Sequence, residues 1–248
     1  TCSGDATVDL AKRHGFEIHS IQPKEFNHGL TRQAGADLCP EADVLIYMTQ
    51  DVVLADPQAL KNLFQCLENR EIAAAYGRQV PRPKATPLEA FARLHNYPEE
   101  SRIKTLADIP MLGIHAAFCS NSFAAWRKSA LNQIGGFAET DFGEDMLAAA
   151  RLLQNGWHIA YCAEAKVVHS HPMSAKEEFT RSRQIGRMHR ANPWLEKQFG
   201  KTTGAGKEYL TKQITFLKKR SPSKIPRAGL TALAKYSGFQ IGKMGRLK

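Results

Sequence analysis

Along the chain the apolar positions change period repeatedly, from helical to extended and back. "DATVDLAKRHG", residues 5–15, reads as a short helix closed by Gly15, and "FEIHSI", 16–21, as a strand. "FNHGLTRQAGAD" reads as a loop entering a helix. A strand follows at "DVLIYMTQ", 43–50, its apolar run too continuous for a half-exposed element. Asp56 and Pro57 supply a cap and a first-turn proline for a helix carrying Leu60, Leu63, Phe64 and Leu67. "IAAAYGRQV" is extended again, "LEAFARLHNY" helical, "AAFCSNSFAAW" a strand pair or turn, and "RKSALNQIGGF" a helix ended by glycines. "GEDMLAAARLLQNGW" is the clearest helix, stopped by Asn155 and Gly156, and "HIAYC" and "AKVVHSH" follow as two short strands. The alternation predicts an α/β domain with a mostly parallel sheet flanked by helices.

Three polar groups stand at ends of these elements. Asp51 follows the 43–50 strand, and in open α/β sheets ligands bind beyond the carboxyl ends of strands. The same acid would also serve simply to begin the turn toward Asp56. Glu144 and Asp145 open a helix after Gly143, where the positive end of the helix dipole favours carboxylates whether or not they do chemistry. His169 and His171 close a strand; in extended chain they point to one face and can approach one ion, although a histidine there is as readily packed or solvated.

Composition narrows the picture. The 248 residues, 43% hydrophobic, suffice for a substantial core, and no run reaches the roughly 18 apolar residues of a membrane span. The first residues lack a secretory pattern, which points to the cytoplasm. Five scattered cysteines without a CxxC pair suggest small buried thiols rather than disulfides or a zinc cluster. The net charge of +10 is concentrated: residues 201–248 carry twelve Lys or Arg against Glu208, which leaves the first 200 nearly neutral. This divides the chain into a domain at 1–200 and a basic tail at 201–248. In the tail Leu230, Leu233, Tyr236 and Phe239 recur at helical spacing, so it reads as an amphipathic helix suited to an anionic membrane surface. A near-neutral body with no aromatic-plus-basic reading motif argues against nucleic acid as partner.

"YMTQDVVLADPQAL", "SNSFAAWRKSALNQIGGF", "GEDMLAAARLLQNGWHIAYCAEAKVVHSH" and "FTRSRQIGRMHR" together resemble family 2 glycosyltransferases, specifically the bacterial rhamnosyltransferase branch, over about residues 1–195. The resemblance implies a GT-A fold, a sugar-nucleotide donor such as dTDP-rhamnose, a divalent cation (Mn2+ or Mg2+), inversion at the anomeric carbon and a saccharide or lipid-linked saccharide acceptor at the inner face of the cell membrane. Thr49-Gln50-Asp51 stands where many relatives carry Asp-x-Asp. By that likeness Asp51 is the carboxylate ligand of the metal, Gln50 a donor contact, and His169 and His171 supplementary ligands. Arg32, in the piece resembling Asn-x-Gly…Arg, is a donor contact, with His28 beside it. Asn121 meets the acceptor, Asp145 is the general base, and Glu144 orients nearby groups or the acceptor. The family's opening strand and the acid ending its second strand should precede Thr1, so the chain is expected to be a fragment or to complete its pocket differently.

Glycosyl transfer leaves negative charge on a departing diphosphate, so Arg181, Arg183 and Arg187 are candidates to hold phosphate, unless they form only a solvated helix face. The alternative readings are an inactive or truncated relative acting as a carbohydrate- or nucleotide-binding module and, on the tail alone, a nucleic-acid binder.

Overall fold

The computed structural model of the chain describes residues 5–200 and 205–245. Cys2 and the rest of residues 1–4, residues 201–204 at the start of the basic segment, and residues 246–248 lie outside the described residues. In chain order the elements are α1 (Thr7–Arg13), α2 (His28–Asp37), β1 (Val44–Met48), β2 (Val53–Leu54), α3 (Ala59–Gln65), β3 (Ile72–Val80) and α4 (Pro87–Asn96). They continue with β4 (Arg102–Lys104), α5 (Ile109–Leu112), β5 (Phe123–Arg127), α6 (Lys128–Gln133), α7 (Glu144–Gln154), β6 (His158–Val168), α8 (Ala175–Ala191) and α9 (Pro193–Phe199), then α10 (Ala205–Arg220) and α11 (Ile225–Met244).

The sheet runs β1-β5-β3-β6-β2, with β4 also on β6. The α/β class with flanking helices matches expectation, but the strand directions need correction. Among the described residues only β3 and β6 form a parallel ladder; the β1–β5, β5–β3, β6–β2 and β4–β6 ladders are antiparallel. Strand β5 is interposed, reversed, between β1 and β3. Strands β1, β3 and β6 therefore still share one direction and present their carboxyl ends along a single edge.

Four other expectations change. Residues 16–21 form no strand; the segment pairs with nothing, and Phe16 is 67% exposed. Its alternating pattern is local, whereas a strand requires a partner ladder. The two short strands expected after α7 are one, β6: its pairing with β3 breaks only in a bulge over residues 163–165, where Glu164 points outward and accepts from Ser101, and resumes at Lys166. β1 is half-exposed after all: it lies at the end of the sheet, with Leu45 buried and Ile46 and Met48 open. Of the described cysteines, all free, Cys119 and Cys162 are buried as expected and Cys39 is exposed.

Core side chains cover both faces of the sheet. One layer gathers Trp126, Leu131, Leu147, Leu152, Leu153, Ile159, Leu195 and Phe199; the other holds Leu63, Phe123, Ala160 and Val167. The basic segment packs on this body through glycine. A Cβ at Gly186 of α8 would lie 2.3 Å from the Phe239 carbonyl oxygen, and one at Gly242 of α11 would lie 2.3 Å from that of Arg183, so the two backbones touch where neither carries a side chain. Lys235 and Lys243 reach back to Glu178 and Glu196. Phe239 turns inward against the His189 ring, while Leu230, Leu233 and Tyr236 stay exposed. Among the described residues no helix is long and apolar enough to cross a membrane.

Candidate functional site

The shared edge of β1, β3 and β6 collects the polar groups. Beyond β1 comes Asp51, near the end of β3 comes Gln79, and beyond β6 come His169, Ser170 and His171. The reversed strand β5 contributes its entry segment, Ser120–Ser122, to the same edge, and the Ser122 carbonyl accepts from the Thr49 amide at 3.2 Å.

Asp51, His169 and His171 do converge. The Asp51 Oδ2 lies 2.5 Å from Nε2 of His171 and 3.3 Å from Nε2 of His169, and the two Nε2 atoms are 3.2 Å apart. These separations are close to the edge of about 3 Å that three ligands make on one face of an octahedral ion at bonds of about 2.1 Å. One carboxylate and two imidazoles is a donor set for a divalent first-row ion, so the residues present can hold one. Burial opposes ionisation of Asp51, but the Thr49 hydroxyl and the two imidazoles beside it outweigh burial and hold its carboxyl at about 2. Burial also holds the His169 imidazole below its usual value, against the pull of Asp51. Gln50 is exposed, in the turn closed by the Val52 amide on the Thr49 carbonyl, and hydrogen-bonds to none of these groups.

The alternation of the His-Ser-His segment has a second consequence. Ser170 points inward and donates to Glu89 Oε1 at 2.5 Å, and its hydroxyl accepts from the Arg82 amide. Glu89 is itself fixed by the capping box of α4, where Thr86 and Glu89 bond each other's backbone amides, and Arg82 pairs with the same carboxylate. The strand end carrying both histidines is thus tied to a helix N-terminus.

The second acidic pair sits at the start of α7. Gly143, at φ +80°, turns the chain so that Glu144 and Asp145 enter the first turn. Asp145 Oδ2 accepts from the Asn121 amide at 3.0 Å and Oδ1 from the Met146 amide at 2.8 Å. Burial, then repulsion from Glu144, pushes its carboxyl up to about 7. Glu144 is 5% exposed and pinned between Asn121 Nδ2 at 3.1 Å and Arg32 Nε at 3.7 Å.

Asn121 requires a correction. It is 2% exposed and its amide is spent on Glu144 and on the Trp126 indole, so it positions Glu144 rather than meeting an acceptor. Glu144, equally buried, serves by holding Arg32 and raising Asp145. Arg32 also lies over the Tyr47 ring at 5.6 Å, whose hydroxyl donates to the Arg32 carbonyl. In the Asn-x-Gly piece, Asn27 caps α2 and accepts from the Thr140 amide, while His28 packs edge-on to Phe26 and Phe142. This segment therefore binds α2 to the loop leading into α7.

The three arginines of α8 do not act together. Arg181 stacks over Phe142 at 5.5 Å, next to the start of α7, and lies close enough to Arg93 and Tyr97 to act on both electrostatically. Arg183 and Arg187 stand about 200° and 240° around the helix from it, on the side where their backbone meets Gly242 of α11. The structure brings only Arg181 toward the site.

Both acidic centres belong to one network. Asp145 holds the Asn121 amide; Ser120, the preceding residue, accepts from Gln79 Nε2 at 3.0 Å; and Gln79 Oε1 lies 2.8 Å from Nδ1 of His169, which faces Asp51. Glu89, Gln79 and Arg93 were not singled out from the sequence. The Thr-x-x-Glu capping signature was readable for Glu89, and a glutamine in a strand otherwise dominated by small and apolar residues was the cue for Gln79.

No protein-family model matches the chain. It is 45% identical over 243 residues to the O-antigen chain rhamnosyltransferase RfbN of Salmonella typhimurium, covering 97% of this chain and 77% of that protein. It is 43% identical over 242 residues to the O-antigen chain rhamnosyltransferase WbaN of Salmonella anatum, again over 97% and 77%. In three dimensions it aligns with the mannosyltransferase PcManGT of Pyrobaculum calidifontis, solved with GDP-Man and Mn2+, at a TM-score of 0.53 and 17% identity. That alignment spans 99% of this chain and 65% of the other, and it supports the fold.

Proposed function

Since the chain belongs to the O-antigen chain rhamnosyltransferases, glycosyltransferases of GT-A fold, we propose that it moves L-rhamnose, with inversion, from dTDP-rhamnose to a hydroxyl of a saccharide acceptor. The observation that carries this reading is the continuous network from Asp51, His169 and His171 through Gln79 and Ser120 to Asp145. Asp51, His169 and His171 would hold a divalent cation, which when bound offsets the negative charge developing on the departing diphosphate. The two imidazole nitrogens favour a first-row ion such as Mn2+ over Mg2+, which prefers oxygen. Arg181, over Phe142 beside the start of α7, would add a fixed positive charge near the diphosphate. Asp145 accepts the proton of the acceptor hydroxyl as its oxygen bonds to the anomeric carbon and the bond to the diphosphate breaks. Arg32 and Glu144 keep that carboxylate poised.

A thermal-shift panel of nucleotide sugars tests this reading. dTDP-rhamnose with Mn2+ should raise the melting temperature beyond either alone, because ligands that bind only the folded state stabilise it. Equal shifts for every nucleotide sugar, or none with the cation present, would contradict it.

The acceptor is proposed to be presented at a bilayer. Leu230, Leu233, Tyr236, Ile241 and Met244 lie on the outward face of α11, opposite the buried Ala228, Thr231, Gly238 and Gly242, along a helix about 30 Å long. Lys224 and Arg227 stand at its start. Apolar side chains beside cations suit anionic lipid headgroups. The protein should sediment with phosphatidylglycerol vesicles and not with phosphatidylcholine ones. Leu233→Asp with Tyr236→Asp should abolish sedimentation without lowering the melting temperature, and unchanged sedimentation would refute the assignment.

A further inference from the structure

Gln79 is a buried amide in a strand that otherwise buries mostly small and apolar side chains, 2% exposed and bonded at both its nitrogen and its oxygen. Its Nε2 donates to Ser120 Oγ at 3.0 Å. Its Oε1 accepts from Arg93 Nη1 at 2.5 Å and lies 2.8 Å from His169 Nδ1. The direction of the amide is not free. A guanidinium has only donors, so the amide atom that faces Arg93 must be the oxygen. The imidazole nitrogen that meets the same oxygen must then carry a hydrogen. With a hydrogen held at Nδ1, the ring presents its other nitrogen, Nε2, to Asp51 Oδ2 and His171 Nε2.

We propose that Gln79, oriented by Arg93 and Ser120, is a positioning residue that keeps a hydrogen on Nδ1 of His169 and aims its Nε2 into the Asp51–His171 cluster. The proposal rests on the cation site described above. It assigns a task to the buried guanidinium of Arg93, whose Nη1 fixes which end of the amide meets the imidazole while its Nε stays unpaired in the interior. It also explains a buried polar group at this place: a leucine of similar size would leave the Nδ1 hydrogen without an acceptor and free the ring to hold its proton on either nitrogen.

The test has two parts that fail separately. In the metal-free protein labelled with 15N-histidine, long-range proton–nitrogen spectra read the tautomer directly, with the His169 ring assigned by comparison with His169→Asn. Wild type should show a protonated Nδ1. Gln79→Glu, which keeps an acceptor facing both Arg93 and His169, should retain that pattern, and Gln79→Leu should lose it. An unprotonated Nδ1 in wild-type His169 would overturn the proposal without reference to any variant or metal. Calorimetric titration with Mn2+ supplies the second readout. Gln79→Leu should bind about 10–100-fold more weakly, the usual effect of removing a group that orients a metal-ligating histidine, and Gln79→Glu should bind like wild type. Equal affinity in Gln79→Leu and wild type would overturn the positioning role while leaving the cation site intact. Absence of Mn2+ binding to wild type would remove the cation reading, and the tautomer spectra would still decide how Gln79 sets the imidazole.

Discussion

Asp145→Asn should fold and lose turnover by about 10²–10⁴-fold, the usual contribution of a positioned general base. The same variant should change the pH profile in a defined direction. Burial, and then Glu144, push the Asp145 carboxyl up to about 7. Only the ionised form takes a proton, so wild-type kcat/KM should climb with pH to about 7 and level off above it, and the residual activity of the variant should lack that climb. Stability moves the opposite way. The folded carboxyl keeps its proton up to about 7, whereas the unfolded one releases it near 3.8, so the native state binds more protons between those values. Stability of wild type relative to Asp145→Asn should therefore fall as pH rises from about 4 to about 7. Melting curves whose difference is flat across that window would show that the carboxyl is not perturbed as described.

Asp51→Asn should have a comparable effect by another route. Among the three groups at the cation cluster Asp51 supplies the only full negative charge, held ionised down to about 2. An amide in its place leaves two imidazoles and no carboxylate. The cation-dependent part of the dTDP-rhamnose thermal shift should vanish, and turnover should drop by about 10³-fold, equivalent to the several kcal/mol a cation contributes to a developing anion. The variant should keep its far-UV circular dichroism, since Asp51 is about one-third exposed and lies beyond the strand. A cation-dependent shift that persists in Asp51→Asn would place the ion elsewhere.

Much of this arrangement could be read from the chain because the decisive residues end well-patterned elements. Asp51 follows the apolar run of β1, Glu144 and Asp145 follow Gly143, and the extended period places His169 and His171 on one side. What the pattern could not supply depends on contacts distant in sequence. "FEIHSI" satisfies a strand's local rule and finds no ladder. The Ala-Glu-Ala interruption in β6 looks like a break, but its one charge faces solvent and the ladder with β3 continues past a register shift. Strand direction is invisible in alternation, so the reversed insertion of β5 was missed. The arginines of "FTRSRQIGRMHR" share a motif but not a face, since two and six residues along a helix lead away from Arg181. Asn121 illustrates the same limit: its place in the motif is right, but only the contacts of Trp126 and Glu144 show that its amide is consumed.

The central claim is that one divalent ion is gripped by residues 51, 169 and 171 at the carboxyl edge of the sheet, on the side the Asp145 network reaches. Crystals grown with Mn2+ and dTDP, measured at the manganese absorption edge, test it most directly. The account predicts one anomalous peak about 2.0–2.3 Å from Asp51 Oδ2 and from the Nε2 atoms of both histidines, with the diphosphate bound to the same ion. A strong peak held by any other set of side chains, with these three unliganded, would contradict it.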